Sequence, residues 1–439
     1  MATTQNKNLF ERFLHSQSSS SIVLILATLT AVIWANSPWA DIYQKLSHLD
    51  IGTYFNGREY HLSLDHWVKD GLMAVFFFVV GLEIKREVLI GELSSLRSAI
   101  LPVVAAIGGA IAPAVIYFLF NRAGAAADGW GIPMATDIAF ALGLLALFGR
   151  RVPIGLKVFL TALAIVDDLL AVLVIAVFYT GRINLPALVL AAVFLAVLAL
   201  VVRNRIRRPV CTLVLIFAVW LCVFLSGIHA TIAGVLMAMI VPVRSTIEPQ
   251  EFFRVIREHA WLRESKLTRH SLVKNRKQRQ AIEQIYLAAE HLLPAGIRLE
   301  EMLHPIQAFL ILPLFALFAA GVAVDSQTMA GFPGPVSLGI MAGLLLGKQA
   351  GIFGFSYLVV RSGQAALPTG VTWPQIWGVS LLGGIGFTMS IFISELAFSD
   401  AAMIADAKIA IFIASILAGI LGFIVLSRVL PKKQQTGKK

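Results

Sequence analysis

The chain alternates apolar runs of membrane-spanning length with short polar connections. Such runs fall at residues 21–35, 66–82, 99–120, 134–149, 154–179, 186–202, 210–226, 228–243, 302–323, 336–360, 375–396 and 406–428. A run of about 20 apolar residues matches the hydrocarbon thickness of a bilayer as a helix. The strands of an outer-membrane barrel alternate and are about half that length, which excludes that class. The pattern predicts an all-α polytopic membrane protein with about twelve transmembrane helices.

Two runs are interrupted. The fourth reads GIPMATDIAFALG, with Pro133, Thr136 and Asp137, and the eleventh reads GVSLLGGIGFTMSIFIS, with Gly383, Gly384, Gly386 and Thr388. Non-helical backbone at membrane depth is tolerated only where it is buried in protein or lines a cavity. Each interrupted run is the middle of a three-span unit, 3–5 and 10–12. One unit starts on the opposite side of the membrane from the other, so they form inverted-topology repeats, the plan of an alternating-access transporter. Close helix packing in lipid is the competing explanation of the glycine cluster.

The connections divide the chain further. Residues 1–20 are polar and carry no small-residue cleavage site, and they read as a retained cytoplasmic tail. Residues 45–65 contain TYFNGREYHLSL, where Asn56-Gly57 between aromatic and β-branched residues predicts a hairpin with a type I′ turn. A lone hairpin is marginal in water, so pairing with a second copy in a homodimer is one way to stabilise it, and an ordinary ordered loop is the other reading. Residues 244–301 form a long basic cytoplasmic loop that reads as two amphipathic helices and a basic linker. Spans 1–8 precede that loop, within residues 21–243. Spans 9–12 follow it, within 302–428, and 429–439 is a basic tail.

Composition sharpens this picture. The chain is 58% hydrophobic and 14% charged, with a mean hydropathy of +0.81. Its net charge of +11 comes from clusters between apolar runs, so lipid and not nucleic acid is the expected partner. Lys7, Arg12, Lys85, Arg86, Arg97, Arg150, Arg151, Lys157, Arg203, Arg205, Arg207, Arg208 and Arg361 fall on one side, whereas Asp41, Asp50, Asp65, Asp128, Asp325 and Asp400 fall on the other. The positive-inside rule then places both termini in the cytoplasm. Cys211 and Cys222 are read as core packing, and no cofactor is expected.

The candidate chemistry is intramembrane charge. Asp167 and Asp168 lie in LTALAIVDDLLAV, Asp137 in the fourth span and Lys348 in GLLLGKQAGI. A carboxylate at the centre of a membrane helix costs roughly 2.5–3.5 kcal/mol, so an adjacent pair calls for a cation. Sodium or lithium, as hard cations, suit such oxygens. Lys348 is the natural counter-ion of one aspartate. Consecutive helical residues point about 100° apart, so one aspartate faces Lys348 and the other an aqueous funnel, in an order the sequence leaves open. An organic-anion carrier would need cationic or hydroxyl groups where acids dominate here. An intramembrane aspartyl protease would need its acids on two helices within Tyr-Asp and Gly-x-Gly-Asp signatures, and neither occurs. A channel fits a buried acid pair with a lysine less well than exchange does.

These residues bring a family into view. From about Phe10 to Leu430, outside the long loop, the chain resembles the bacterial NhaA-type Na+/H+ antiporters. It does so in MAVFFFVVGLEIKREVLIGEL, MATDIAFALG, LTALAIVDDLLAV, SGIHATIAGVLMAM, HPIQAFLILPLFALFAAGV, GLLLGKQAGI and GGIGFTMSIFI. Inverted repeats and broken helices are themselves known of that family. The resemblance implies a non-enzymatic, electrogenic and pH-regulated exchanger of Na+ or Li+ for protons in the bacterial inner membrane, with Na+ and protons held at Asp167 and Asp168. It implies that Asp137 and Lys348, with Thr136 beside them, compensate half-helix ends where spans 4 and 11 cross. It also implies a pH-response set of Glu83, Lys85, Arg86, Glu87, Glu300 and His229, and a funnel position at Asp70. The family has Glu-His where this chain has Glu300-Glu301.

Overall fold

The structure, a computed structural model, describes residues 17–55, 58–204, 208–245, 247–263, 265, 275–323 and 331–431. Asn56, Gly57, Lys7, Arg12, Arg205, Arg207, Asp325, most of the basic loop linker and the C-terminal lysines lie outside the described residues.

Among the described residues, seven segments are long and apolar enough to cross a membrane: Leu96–Phe120, Ala125–Ala146, Ile154–Phe178, Leu185–Arg203, Ala295–Ala319, Pro335–Arg361 and Ala401–Val429. Two bent pairs bring the total to nine, namely Ser19–Ala35 with Ala40–Ser47 at 113° and Trp373–Leu382 with Phe387–Ala397 at 48°. The other apolar runs form shorter helices, Met73–Leu89, Pro209–Leu225 and Thr231–Ile240. The last two are split by Ser226 and by Gly227, whose φ of 83° few other residues adopt. Apart from one hairpin, the described regular structure is helical.

That hairpin pairs Asp50–Phe55 antiparallel to Arg58–Ser63, with Phe55 opposite Arg58, so the connection is two residues long. At the same end of the bundle, Tyr43 donates to the Leu317 carbonyl and Asn36 to that of Val322. The opposite end carries the loop helices Pro249–Glu258 and Arg276–Leu292. The next helix begins at Ala295, inside the stretch read as loop, because Pro294 starts it and Arg298 and Glu300 depress the hydropathy of its first turns.

Glycines set the packing around the bundle centre. A Cβ on Gly351 would collide with the Gly108 carbonyl oxygen, so Leu96–Phe120 and Lys348–Arg361 meet backbone to backbone. Dispersion from such close contact is what holds helices together in lipid, where apolar burial gives no net drive. Lys348 lies one turn before that contact, its stem beside Gly109. Replacing Gly351 by Ala therefore pushes the two helices apart. We expect a loss of about 1–3 kcal/mol, read as a lower melting temperature in detergent. Gly354→Ala on the same helix meets nothing within 4 Å and serves as the control. Equal melting temperatures for the two variants would contradict this packing.

Candidate functional site

Two breaks in the helical backbone meet at the bundle centre. Ala135–Asp137 separate the 3-10 segment Ala125–Met134 from the helix Ile138–Ala146. Gly383–Gly386 separate Trp373–Leu382 from Phe387–Ala397. Each break satisfies backbone groups of the other. Asp137 N–H donates to the Ile385 carbonyl at 2.7 Å, and Thr136 Oγ1 donates to that of Gly383 at 2.8 Å. Ser390 Oγ donates to the Ile132 carbonyl at 2.8 Å.

Asp137 serves two helix N-termini at once. Its Oδ1 accepts from Phe140 N–H at 3.2 Å, and its Oδ2 accepts from Thr388 N–H at 3.1 Å and from the Thr388 hydroxyl. A carboxylate there answers both the unpaired N–H groups and the positive ends of the helix dipoles. Lys348 answers the opposite need. Its ammonium donates to the Met134 carbonyl, at the C-terminal end of the 3-10 segment.

The same ammonium holds Asp167 in a two-pronged ion pair, at 2.7 and 2.8 Å. Lys348 is 0% exposed and Asp167 2%, so neither charge has water as a substitute partner. Asp168, also 2% exposed, points elsewhere, and its Oδ2 has no hydrogen-bond partner. It lines a cavity of about 150 Å³ together with Asp137, Thr388, Glu83, His304 and Gln307. The adjacent aspartates thus divide as helical geometry requires, Asp167 to lysine and Asp168 to open space.

The remaining sequence candidates separate into three places. Arg86 pairs with Glu87 at 2.9 Å and with both oxygens of Glu300 at 3.1 Å, so those three form one cluster at the loop end. Lys85 turns away and caps the carbonyls of Met239 and Val241, while Glu83 faces the Asp168 cavity. His229 lies instead at the hairpin end, 3.5 Å from Asp70 and 2.9 Å from the Thr231 hydroxyl.

Beside Asp70 lies a charge network that the sequence did not mark. Lys69 bridges Asp65 at 2.7 Å and Glu395 at 2.8 Å, and Lys408 reaches the same Glu395 at 2.7 Å. It joins the π-turn Trp67–Leu72 to the C-terminal end of the helix Phe387–Ala397 and to a residue two turns into the helix Ala401–Val429. Each member sits near a span end, where a charge reads as interfacial, so hydropathy alone gave no signal. Thr388 and Gln307 also went unassigned; for Gln307 the available signal was an amide inside the apolar run 302–323.

Removing one member of a buried ion pair strands the other charge at a cost of about 3–5 kcal/mol, whereas removing both is nearly neutral. Asp167→Asn and Lys348→Met should therefore each lower the melting temperature in detergent markedly, and the double variant should recover most of the loss. Additive losses in the double variant would show that the two groups are not coupled.

Comparison with known proteins places the chain in a family. The family model described as Na+/H+ antiporter 1 matches residues 11–426. A protein of Sulfurimonas denitrificans named Na(+)/H(+) antiporter NhaA is 45% identical over 421 residues, covering 95% of this chain and 94% of its own length. One of the same name from Oleidesulfovibrio alaskensis is 46% identical over 430 residues, covering 98% and 95%. A third, Na(+)/H(+) antiporter NhaA 1 of Clostridium beijerinckii, is 44% identical over 419 residues, covering 95% and 94%. This chain, a multi-pass membrane protein, belongs to the Na+/H+ antiporter 1 family.

Proposed function

We propose that the protein is an electrogenic antiporter that exports Na+ or Li+ in exchange for protons, by alternating access at Asp167 and Asp168. The observation that carries this reading is the unpartnered Asp168 oxygen in a polar cavity, one residue from an aspartate already held by lysine. A buried carboxylate needs a positive partner, and a proton or a hard cation can each supply one. The two compete for one oxygen, and competition at a site that opens alternately to each side is exchange. Thr388 and Asp137 line the same cavity and bring further oxygens to it.

Lys348 extends the competition to Asp167. When the ammonium gives up its proton, Asp167 is freed for the cation. A cation that displaces both the Asp168 proton and the Lys348 proton moves fewer charges than it releases, which makes the cycle electrogenic. Twelve spans, with units 3–5 and 10–12 inverted, fit the meeting of the two breaks. Both termini are assigned to the cytoplasm of a bacterial inner membrane on the distribution of lysine and arginine. The homodimer is assigned to the hairpin, whose two strands alone are too few for independent stability. The transported ions are substrates, and no resident cofactor is assigned.

Regulation by pH is assigned to the Arg86, Glu87 and Glu300 cluster, with Glu83 between it and Asp168. Lys85 acts there as a cap of helix carbonyls. His229 and Asp70 are assigned to the outward-facing side.

Everted membrane vesicles loaded with a pH-sensitive dye test the reading. Na+ or Li+ should dequench the dye, and Asp168→Asn should abolish the response while the protein remains in the membrane. Exchange should fall as pH falls, because protons then occupy the acids, and raising Na+ should restore it. No dequenching with Na+, Li+ or K+ would sink the antiport reading. Glu300→Gln should shift the pH profile, and an unaltered profile would remove the cluster's regulatory role.

A further inference from the structure

The cavity beside Asp168 is also lined by Gln307, whose side-chain amide oxygen is buried without a hydrogen-bond partner. A buried polar atom left unpaired is costly, and two of them on side chains that line one cavity call for a shared ligand. An aspartate oxygen and an amide oxygen together form a donor set that suits a small hard cation. The amide contributes field without charge, so it stabilises the cation without adding a further group for protons to occupy.

The backbone around Gln307 supports the same conclusion. Gln307 opens a π-turn, Gln307–Ile311, between Pro305 and Pro313, and its own carbonyl accepts from Leu312 N–H across the widened turn. Such turns are rare, frequently mark functional sites, and change the direction in which a helix presents its side chains. The other two π-turns in the described residues also carry or abut site charges. Trp67–Leu72 contains Lys69 and Asp70, and Gly343–Gly347 ends immediately before Lys348. Gln307 is the polar residue of the third. The small neighbour Ala308 lines the same cavity and leaves room beside the amide.

We propose that Gln307 is a cation ligand of this transporter, its amide oxygen completing the coordination of Na+ or Li+ at Asp168 when the site faces this cavity. The proposal rests on the antiport reading and assigns it a residue that sets cation affinity and selectivity. Asp168 supplies the charge and undergoes the exchange with protons. Gln307 supplies a neutral oxygen from a different helix, so the two can separate or approach as the site opens.

The test is Na+ and Li+ titration of exchange in proteoliposomes, comparing wild type with Gln307→Leu, Gln307→Met and Gln307→Glu. Leucine and methionine keep the bulk and lose the oxygen. Each should raise the apparent KM for Na+ on the order of tenfold, the equivalent of about 1.4 kcal/mol, with the maximal rate largely kept. The Li+ to Na+ preference should change in both. Glutamate keeps an oxygen at the same reach and should restore affinity. A KM unchanged in the leucine and methionine variants, or a lost maximal rate at unchanged KM, overturns the assignment. If leucine does not fold, methionine carries the comparison, its melting temperature serving as the check. Wild type that exchanges no Na+ overturns the antiport reading itself, whereas an active wild type with indifferent variants overturns only the role of Gln307.

Discussion

Lys348 and Asp167 form a charge pair buried from water, beside the break in the chain that offers the Met134 carbonyl. The pair is held by geometry that nothing local could supply. Lys348 is brought in by the backbone contact of Gly108 with Gly351, Asp167 by the long helix Ile154–Phe178, and the third partner, the Met134 carbonyl, by a break in the chain. Dismantling any of these leaves a buried charge uncompensated, at a cost comparable to a large share of a protein's whole stability. A structure that depends on this pair is also one that responds when a proton or a cation alters it.

The neighbouring irregularities follow from the same constraint. Charged groups at membrane depth must be answered within the protein, and regular helices keep their backbone groups to themselves. Breaking two helices exposes N–H and carbonyl groups, which Asp137 and Lys348 then satisfy from opposite signs. Three π-turns add further deviations, at Lys69 and Asp70, at Gln307 and just before Lys348. Departures from helical regularity thus gather where polar chemistry enters the bilayer.

Much of this was legible in the sequence because lipid makes charge conspicuous. Asp137, Asp167, Asp168 and Lys348 stood out within apolar runs, and the glycines of GGIGF announced a break. Which aspartate meets lysine was not legible, since two adjacent residues differ only in helical phase, and phase has meaning only against a packed neighbour. The Lys69, Glu395 and Lys408 network was hidden for another reason. Charges near span ends are ordinary at a membrane interface, and only tertiary packing turns them into a part-buried network. His229 shows the opposite case: grouped with the Glu300 cluster by resemblance, it lies at the other end of the molecule beside Asp70. The short helices at Pro209–Leu225 and Thr231–Ile240 read as two spans from apolarity, although the second, at 10 residues, falls below what a straight crossing needs.

Direct competition between sodium and protons is best measured on the purified protein in detergent, in weakly buffered solution with a pH indicator. If both ions claim the Asp168 oxygen, adding Na+ releases protons in step with the binding of radioactive sodium, and Asp168→Asn loses the release and the binding together. Sodium binding without proton release in the unaltered protein would contradict competition at that oxygen.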